Sequence, residues 1–317
     1  MLIINIIITN SPEMNIDTLI QIYIEVDDFF LEFGAKIKEI RLNSGFKRQR
    51  QRKTKMSDAE MMTLYIAFHH SGYTKFKTFY TQHVQRYWND LFPDLVSYER
   101  FNHLQSRLVL PLMVMLHKKC LGHSRGINFI DSTTLKVCHI KREKQHRVFH
   151  SLATKGKGTM GWFYGFKLHL VINDQGELLS YYLSKANVDD RNLQVINCLV
   201  KNMFGKLYGD RGYISKTLAD YLWNDGISLI YKRRRNMKSQ NLSDEDKLLL
   251  RKRALIESVN DELKNICSIE HTRHRSVQGF LNNLTSAMCA YHFLPKKPKL
   301  KFENIDQSNQ LCLNMAA

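Results

Sequence analysis

Three acidic residues stand where their type and setting could do phosphoryl chemistry. Asp131 lies inside the apolar run INFIDSTTLKV from Ile127 to Val137, and Asp210 follows Leu207-Tyr208 and precedes Arg211 and Gly212. Glu257 falls in a helical pattern with Arg253 four residues before it and Lys264 seven after, so the three share one stripe of a 3.6-residue helix. Carboxylate oxygens are the ligands that hard divalent cations prefer. Two such ions, about 4 Å apart, can clamp the attacking and leaving oxygens of an in-line displacement at phosphorus. Each residue alone has a plainer reading: a strand aspartate needs a partner whatever its role, and a glutamate among cations at helical spacing often lines a solvated face. Asp261 and Glu262 compete with Glu257 for the third place. Two strand aspartates, a helix glutamate and flanking cations that grip phosphate point together to metal-dependent cutting or transfer of phosphodiesters.

The elements that must position these residues can be read from periodicity. From Met14 to about Leu116 apolar residues recur at three-to-four-residue spacing (Leu19, Ile20, Tyr23, Ile24, Val26, Phe29, Phe30), which predicts helices. Ser57 stands three before Glu60, a capping-box signature, and another helix is expected from Ser97. After Gly122 the pattern changes: strands are expected at Ile127 to Val137, Gly165 to Asn173, Leu178 to Leu183, Lys206 to Tyr208 and Ile227 to Tyr231. Helices are expected after Asp189-Asp190 and Ser215, and one long helix from about Ser243 to Cys267. That order predicts an α/β fold, a mixed sheet flanked by helices, as in ribonuclease-H-like nucleases, with a helical N-terminal domain. The expected division is a possible extension over 1–13, a helical and DNA-binding domain over 14–118, a catalytic domain over 119–295 and a loosely ordered tail over 296–317.

Forty-seven Lys and Arg against 30 Asp and Glu give a formal charge of +17, which calls for a polyanionic partner and favours nucleic acid over a membrane surface. The six cysteines are scattered, with no C-x-x-C pair, and read as reduced. The apolar run Leu2 to Thr9 is too short to span a bilayer, so a cytoplasmic, nucleoid-associated protein is expected, with no membrane partner.

The segment His139 to Gly161 sets Lys141, Arg142, Lys144, Arg147, Lys155 and Lys157 beside three glycines. Glycines let backbone amides approach phosphates and the cations release counterions on binding DNA; the spacing is not that of a nucleotide P-loop. The run Lys47 to Lys55 holds six cations in nine residues and reads equally as a DNA contact or a solvated stretch. Arg211, Arg273 and Arg275 add further candidate DNA contacts. Trp162, Phe163 and Tyr164 could stack on an unpaired base or simply fill core. His146, His150, His271 and His274 have no cysteine or carboxylate at ligand spacing to complete a zinc site.

The segments FIDSTTL, YGDRGY and Arg253-x3-Glu257-x6-Lys264 resemble the three catalytic blocks of bacterial insertion-sequence transposases of the Asp-Asp-Glu type, and KGKGTMGWFYGFKLHLVIND with HTRHRSVQGFLNNL resembles the 982 group among them. The likeness covers roughly Met14 to Pro298, and the last block departs from Tyr-x2-Arg-x3-Glu-x6-Lys in having Leu250 at the tyrosine position. The resemblance implies that Asp131, Asp210 and Glu257 hold Mg²⁺ or Mn²⁺, two ions, and that Arg253 and Lys264 position DNA. It also implies cutting at an element's terminal repeats, joining to double-stranded target DNA, and a homodimer on the paired ends. A metal-dependent nuclease of the same fold, and a DNA-binding relic without turnover, are the alternatives the same residues leave open.

Overall fold

The computed structural model describes residues 15–43, 54–158, 161–233, 237, 242–270 and 274–300. The possible extension over 1–13, the cations of the basic run up to Lys53, Arg273 and the tail from 301 lie outside the described residues.

The N-terminal part is helical: α1 (Ile16–Asn43), α2 (Asp58–His70), α3 (Tyr98–Leu104) and α4 (Val109–Met115). Ser57 starts α2 by the expected reciprocal cap, its Oγ accepting from Glu60 N–H at 3.1 Å while Glu60 Oε2 accepts from Ser57 N–H at 2.7 Å. Ser97 caps α3 with its side chain alone, accepting from Arg100 N–H at 3.2 Å. On α1 the buried stripe is Leu19, Ile22, Val26 and Phe29, whereas Ile20, Tyr23 and Ile24 face outward.

Six strands follow: β1 (Ile127–Cys138), β2 (Thr154–Gly158), β3 (Gly161–Asn173), β4 (Leu178–Lys185), then α5 (Leu193–Val200), β5 (Gly205–Gly209), α6 (Lys216–Asn224) and β6 (Ile227–Tyr231). β3 pairs antiparallel with β1 on one edge, and with β2 and then β4 along the other. β1, β5 and β6 run parallel, with α5 and α6 as the crossovers. The central order is therefore β4-β3-β1-β5-β6, a mixed sheet of ribonuclease-H-like topology. The strand β2 was not foreseen. Its sequence TKGKG carries no β-branched signal beyond Thr154, and its pairing is imposed by the N-terminal extension of β3, with Gly158 opposite Gly161.

The expected long helix is instead two, α7 (Asp244–Lys252) and α8 (Ala254–Asp261), which meet at Arg253 and are continued by a π-helical turn, Glu262–Ile266. At the break, Ile256 N–H bonds back to Arg253 C=O, an i to i−3 bond in place of the regular ladder. The last helix is α9 (Val277–His292).

Period-two alternation along β1 sends Ile130 to one face, where it packs with Val171, Leu199, Leu207, Tyr213 and Leu218 under α5 and α6. Phe129, Leu168, Leu170 and Tyr208 face the other side, in a core that continues through α8, α9 and the N-terminal helices. The segment expected to start the loose tail is partly built in: Leu300 is buried and its N–H donates to Asp174 C=O at 2.9 Å. Gly176 makes this possible, since at φ +72° it carries no Cβ to strike Pro298 C=O.

Candidate active site

The parallel register of β1 and β5 sets the two aspartates abreast. Ile127, Asn128 and Phe129 pair with Lys206, Leu207 and Tyr208; two steps further along both chains come Asp131 and Asp210. By alternation Asp131 shares the face of Phe129, toward α8, which packs on β1. β5 ends at Gly209, and Asp210 leaves the strand as the cap of a 3-10 turn, its Oδ1 accepting from Gly212 N–H at 2.7 Å. The strand end thus delivers a carboxylate where backbone pairing has ceased and ligand can enter.

α7 and α8 are held over this point from their start. Asp246, buried at the first turn of α7, accepts from Tyr208 Oη and Lys206 Nζ on β5, both at 2.8 Å. Burial pushes its carboxyl up, but the hydrogen bonds from Lys206, Tyr208 and Ser243 outweigh that and hold it below the ordinary range.

On α8, Arg253 joins the acids. Its Nη2 donates to Glu257 Oε1 at 2.5 Å and its Nη1 lies 3.8 Å from Asp131 Oδ1. Asn260, one turn beyond Glu257, donates from Nδ2 to Asp131 Oδ2 at 3.0 Å. Burial pushes the Asp131 carboxyl up to about 6; Arg253 and the Ser132 N–H pull it down, while Asp210 and Glu257 push it further up. Asp210, Glu257 and Arg253 are therefore all within electrostatic reach of Asp131. Glu262 is not part of the group: its charge acts on Cys267 and Tyr291, and its own neighbours are Asp261 and Lys297. Asp261 is exposed and accepts from Asn265.

Beneath the pair of aspartates lies Tyr213, fully buried, whose hydroxyl has no hydrogen-bond partner. Burial, then the charges of Asp190, Asp131 and Asp210, push its phenol well above the ordinary range. Asp190 in turn pairs with Lys167 Nζ at 3.1 Å and lies 3.6 Å from His169 Nδ1. Sequence reasoning passed over Asn260, Tyr213 and Asp190. Only Asn260 had a usable signal, as the residue one turn after Glu257 on the same stripe.

The expected DNA contacts separate into groups. Lys141, Arg142 and Lys144 lie exposed on a 3-10 turn, Ile140–Gln145, with Arg147 just after it. Lys155 and Lys157 are exposed on β2, and Lys155 Nζ pairs with Glu143 at 2.8 Å. This region is a hairpin rather than the open glycine loop expected, because β3 continues past the body of the sheet and draws β2 into pairing. Of the three aromatics beside it, Phe163 and Tyr164 are core, and Trp162, opposite Lys157, is 63% exposed. Arg211 is exposed next to Asp210, and Arg275 is exposed ahead of α9. Lys264 is not among the carboxylates. It lies 3.6 Å from Glu270, which accepts from Lys136 N–H, and Lys136 is five residues along β1 from Asp131, roughly 17 Å at strand rise.

A divalent cation is the group such a site implies. The donors are all hard oxygens, and Asp131 holds a buried negative charge that Arg253 only partly offsets, so the residues suit such an ion in kind. Among the described residues no three His, Cys, Asp or Glu side chains stand in a metal-holding arrangement; Arg253 spans Asp131 and Glu257 instead.

A mixed sheet of this order, with aspartates at neighbouring strand positions and a glutamate on a helix packed over them, defines a ribonuclease-H-like domain with an acidic site. Residues 121–277 match the family model of the transposase DDE domain. No curated protein matches the chain. Among solved structures, a piggyBac transposase synaptic complex with hairpin DNA is similar at a TM-score of 0.44 and 11% identity, over 83% of this chain and 72% of that one. The Mos1 strand transfer complex is similar at 0.23 and 13% identity, over 82% and 85%. Among the described residues no helix is long and apolar enough to cross a membrane.

Proposed function

We propose that the chain is a DNA transposase that cuts the ends of an insertion element and joins them to target DNA at Asp131, Asp210 and Glu257. The observation that supports this reading is the register that sets Asp131 and Asp210 abreast, with Arg253 reaching both Asp131 and Glu257. Asp131 and Asp210 with Glu257 would hold Mg²⁺ or Mn²⁺. Bound there, the cation supplies positive charge to the phosphate under displacement and eases ionisation of the attacking water.

The reaction has two steps. Water adds to phosphorus at the element end as the bond to the 3′-oxygen breaks, leaving a free 3′-hydroxyl and a 5′-phosphate. The 3′-hydroxyl, losing its proton, then attacks a target phosphodiester and displaces another 3′-oxygen, so one phosphodiester is exchanged for another. The protein's part is to hold the phosphate in line. Arg253 can turn from the carboxylates to a phosphate oxygen. Arg211 flanks the site, and the exposed cations around the β2–β3 hairpin would track the duplex backbone. Membership in the 982 group of insertion-sequence transposases, a homodimer on paired terminal repeats, and work on the nucleoid in the cytoplasm belong to the same proposal.

The test is incubation of the purified protein with labelled duplexes bearing the terminal repeats that flank its gene, plus plasmid target, with Mg²⁺ or EDTA, beside Asp131→Asn. End cleavage and joining that require both metal and Asp131 are expected. Cleavage of paired ends with no joining in any divalent metal would replace the transposase with a nuclease.

A further inference from the structure

One oxygen beside Asp131 has no explanation in the fold. Asn260 is 8% exposed and sits on α8 between Ile256 and Leu263, both fully buried. Its Nδ2 donates to Asp131 Oδ2 at 3.0 Å, and its Oδ1 is buried with no hydrogen-bond partner. The orientation is set by charge: turned over, the amide would point its oxygen at the carboxylate. A buried carbonyl left without a partner costs roughly 1–3 kcal/mol, and an apolar side chain at this helix position would avoid that cost. Orienting Asp131 requires only the N–H arm. The other arm is a neutral oxygen fixed next to a carboxylate, on the same helical face as Glu257, in a site whose remaining donors are all oxygens.

Amide carbonyl oxygens are ordinary ligands of hard divalent cations. We infer that Asn260 is a further metal ligand of this site, its Oδ1 binding the divalent cation that Asp131 holds while its Nδ2 keeps Asp131 in place. The inference rests on the metal-dependent reading above and adds to it a neutral ligand one turn beyond Glu257. A neutral oxygen fills a coordination position without adding a fourth negative charge to a group whose acids already repel one another.

The experiment measures metal binding by the full-length protein directly. Mn²⁺ binding is titrated by electron paramagnetic resonance for the wild type, Asp131→Asn, Asn260→Leu and Asn260→Cys, each checked for folding by thermal melting. Asn260→Leu is expected to weaken Mn²⁺ binding by about 10-fold or more, the size of effect seen when metal-site partners are removed. Asn260→Cys exchanges a hard oxygen for sulfur, which selects soft metals. It is expected to weaken Mn²⁺ binding and to create, on addition of Cd²⁺, a thiolate-to-cadmium absorption absent from the wild type. A residue that merely orients Asp131, or whose oxygen only holds water, would not generate that band. If Asn260→Leu fails to fold, the cysteine variant decides alone. Mn²⁺ binding unchanged in folded Asn260→Cys, with no cadmium band, would overturn the assignment while leaving the carboxylate site intact. Absence of Mn²⁺ binding by the wild type, or equal binding by Asp131→Asn, would remove the metal reading and this inference together.

Discussion

At the scale of single residues, Asp131 carries an ionised form that its surroundings penalise. Its carboxyl is raised from 3.8 to about 6 by burial and by two neighbouring acids, a change equivalent to roughly 3 kcal/mol of penalty on its ionised form. Asp131→Asn should therefore raise the melting temperature in EDTA near neutral pH, by a few degrees, because the amide carries no charge to desolvate. Mn²⁺ should stabilise the wild type and leave the variant unmoved, through binding to the folded state alone. Differential scanning fluorimetry with and without Mn²⁺ checks both; a variant that melts well below the wild type in EDTA would show that the Asp131–Arg253 contact outweighs the cost of burial. Asp131 was legible in the sequence as a carboxylate inside an apolar strand pattern, and Asp210 as one at the end of such a pattern. Glu257 was singled out in the sequence over Asp261 and Glu262 by its spacing from Arg253 and Lys264 and by the resemblance, and in the structure it shares Arg253 with Asp131. Tyr213 was not legible, and Asn260 only by its place one turn after Glu257, since their interest lies in buried polar atoms that lack partners, a property of packing.

At the scale of elements, the β2–β3 hairpin carries the main departure. A stretch read as a glycine-rich loop is a paired ribbon, with Gly156 packed against Ala186 and Phe163 so closely that a Cβ would lie 2.6 Å from Ala186 C=O. The pairing leaves Lys155 and Lys157 outward on β2, in position to meet phosphates. The double substitution Lys155→Ala with Lys157→Ala should weaken binding to end duplexes and to unrelated DNA alike. It should also reduce the slope of log K against log salt by about 0.9 for each phosphate that is no longer neutralised. Fluorescence anisotropy across a salt series measures this; an unchanged slope would mean that the hairpin does not touch the backbone, and that Lys155 serves only its bridge to Glu143. The break at Arg253 is the other departure. Periodicity is continuous through it, so no local signal marked it, and only the pull of Asp131 and Glu257 on one guanidinium coincides with the change of ladder.

At the scale of the whole molecule, the N-terminal helices and the sheet share one buried cluster, from Leu19 on α1 to Leu300 beyond α9. α9 packs against both α2 and α4, and His69 of α2 lies 2.9 Å from Ser286 Oγ of α9. Burial lowers the His69 imidazole to about 3, and burial lowers His70 to about 4. The sign follows from proton uptake: above about 6.5 both are neutral whether folded or not and add no pH dependence. As pH falls from 6.5 toward 4 the unfolded chain binds protons that the folded state refuses, and stability drops by up to about 1.4 kcal/mol per pH unit for each histidine. His69→Gln, which can keep a bond to Ser286 but cannot be protonated, should lose less stability between pH 6.5 and pH 4.5. Urea denaturation at those two values tests this, and equal losses in variant and wild type would remove His69 from the acid response.

The sequence by itself determined the class of fold and the order of its elements apart from β2 and the break at Arg253, and it marked the two aspartates as candidates, because strand alternation, helix caps and turn residues are local. Its charge of +17 likewise called for a polyanionic partner. Only the tertiary structure decided that Asp131 and Asp210 stand abreast, since register is a relation between β1 and β5 across some eighty residues. It alone joined Glu257 rather than Glu262 to Asp131 through Arg253, put Lys264 at the far end of β1, and paired Thr154 to Gly158 with the start of β3. Those outcomes depend on which faces are left to pack once the sheet has formed, and no stretch of chain carries that information alone.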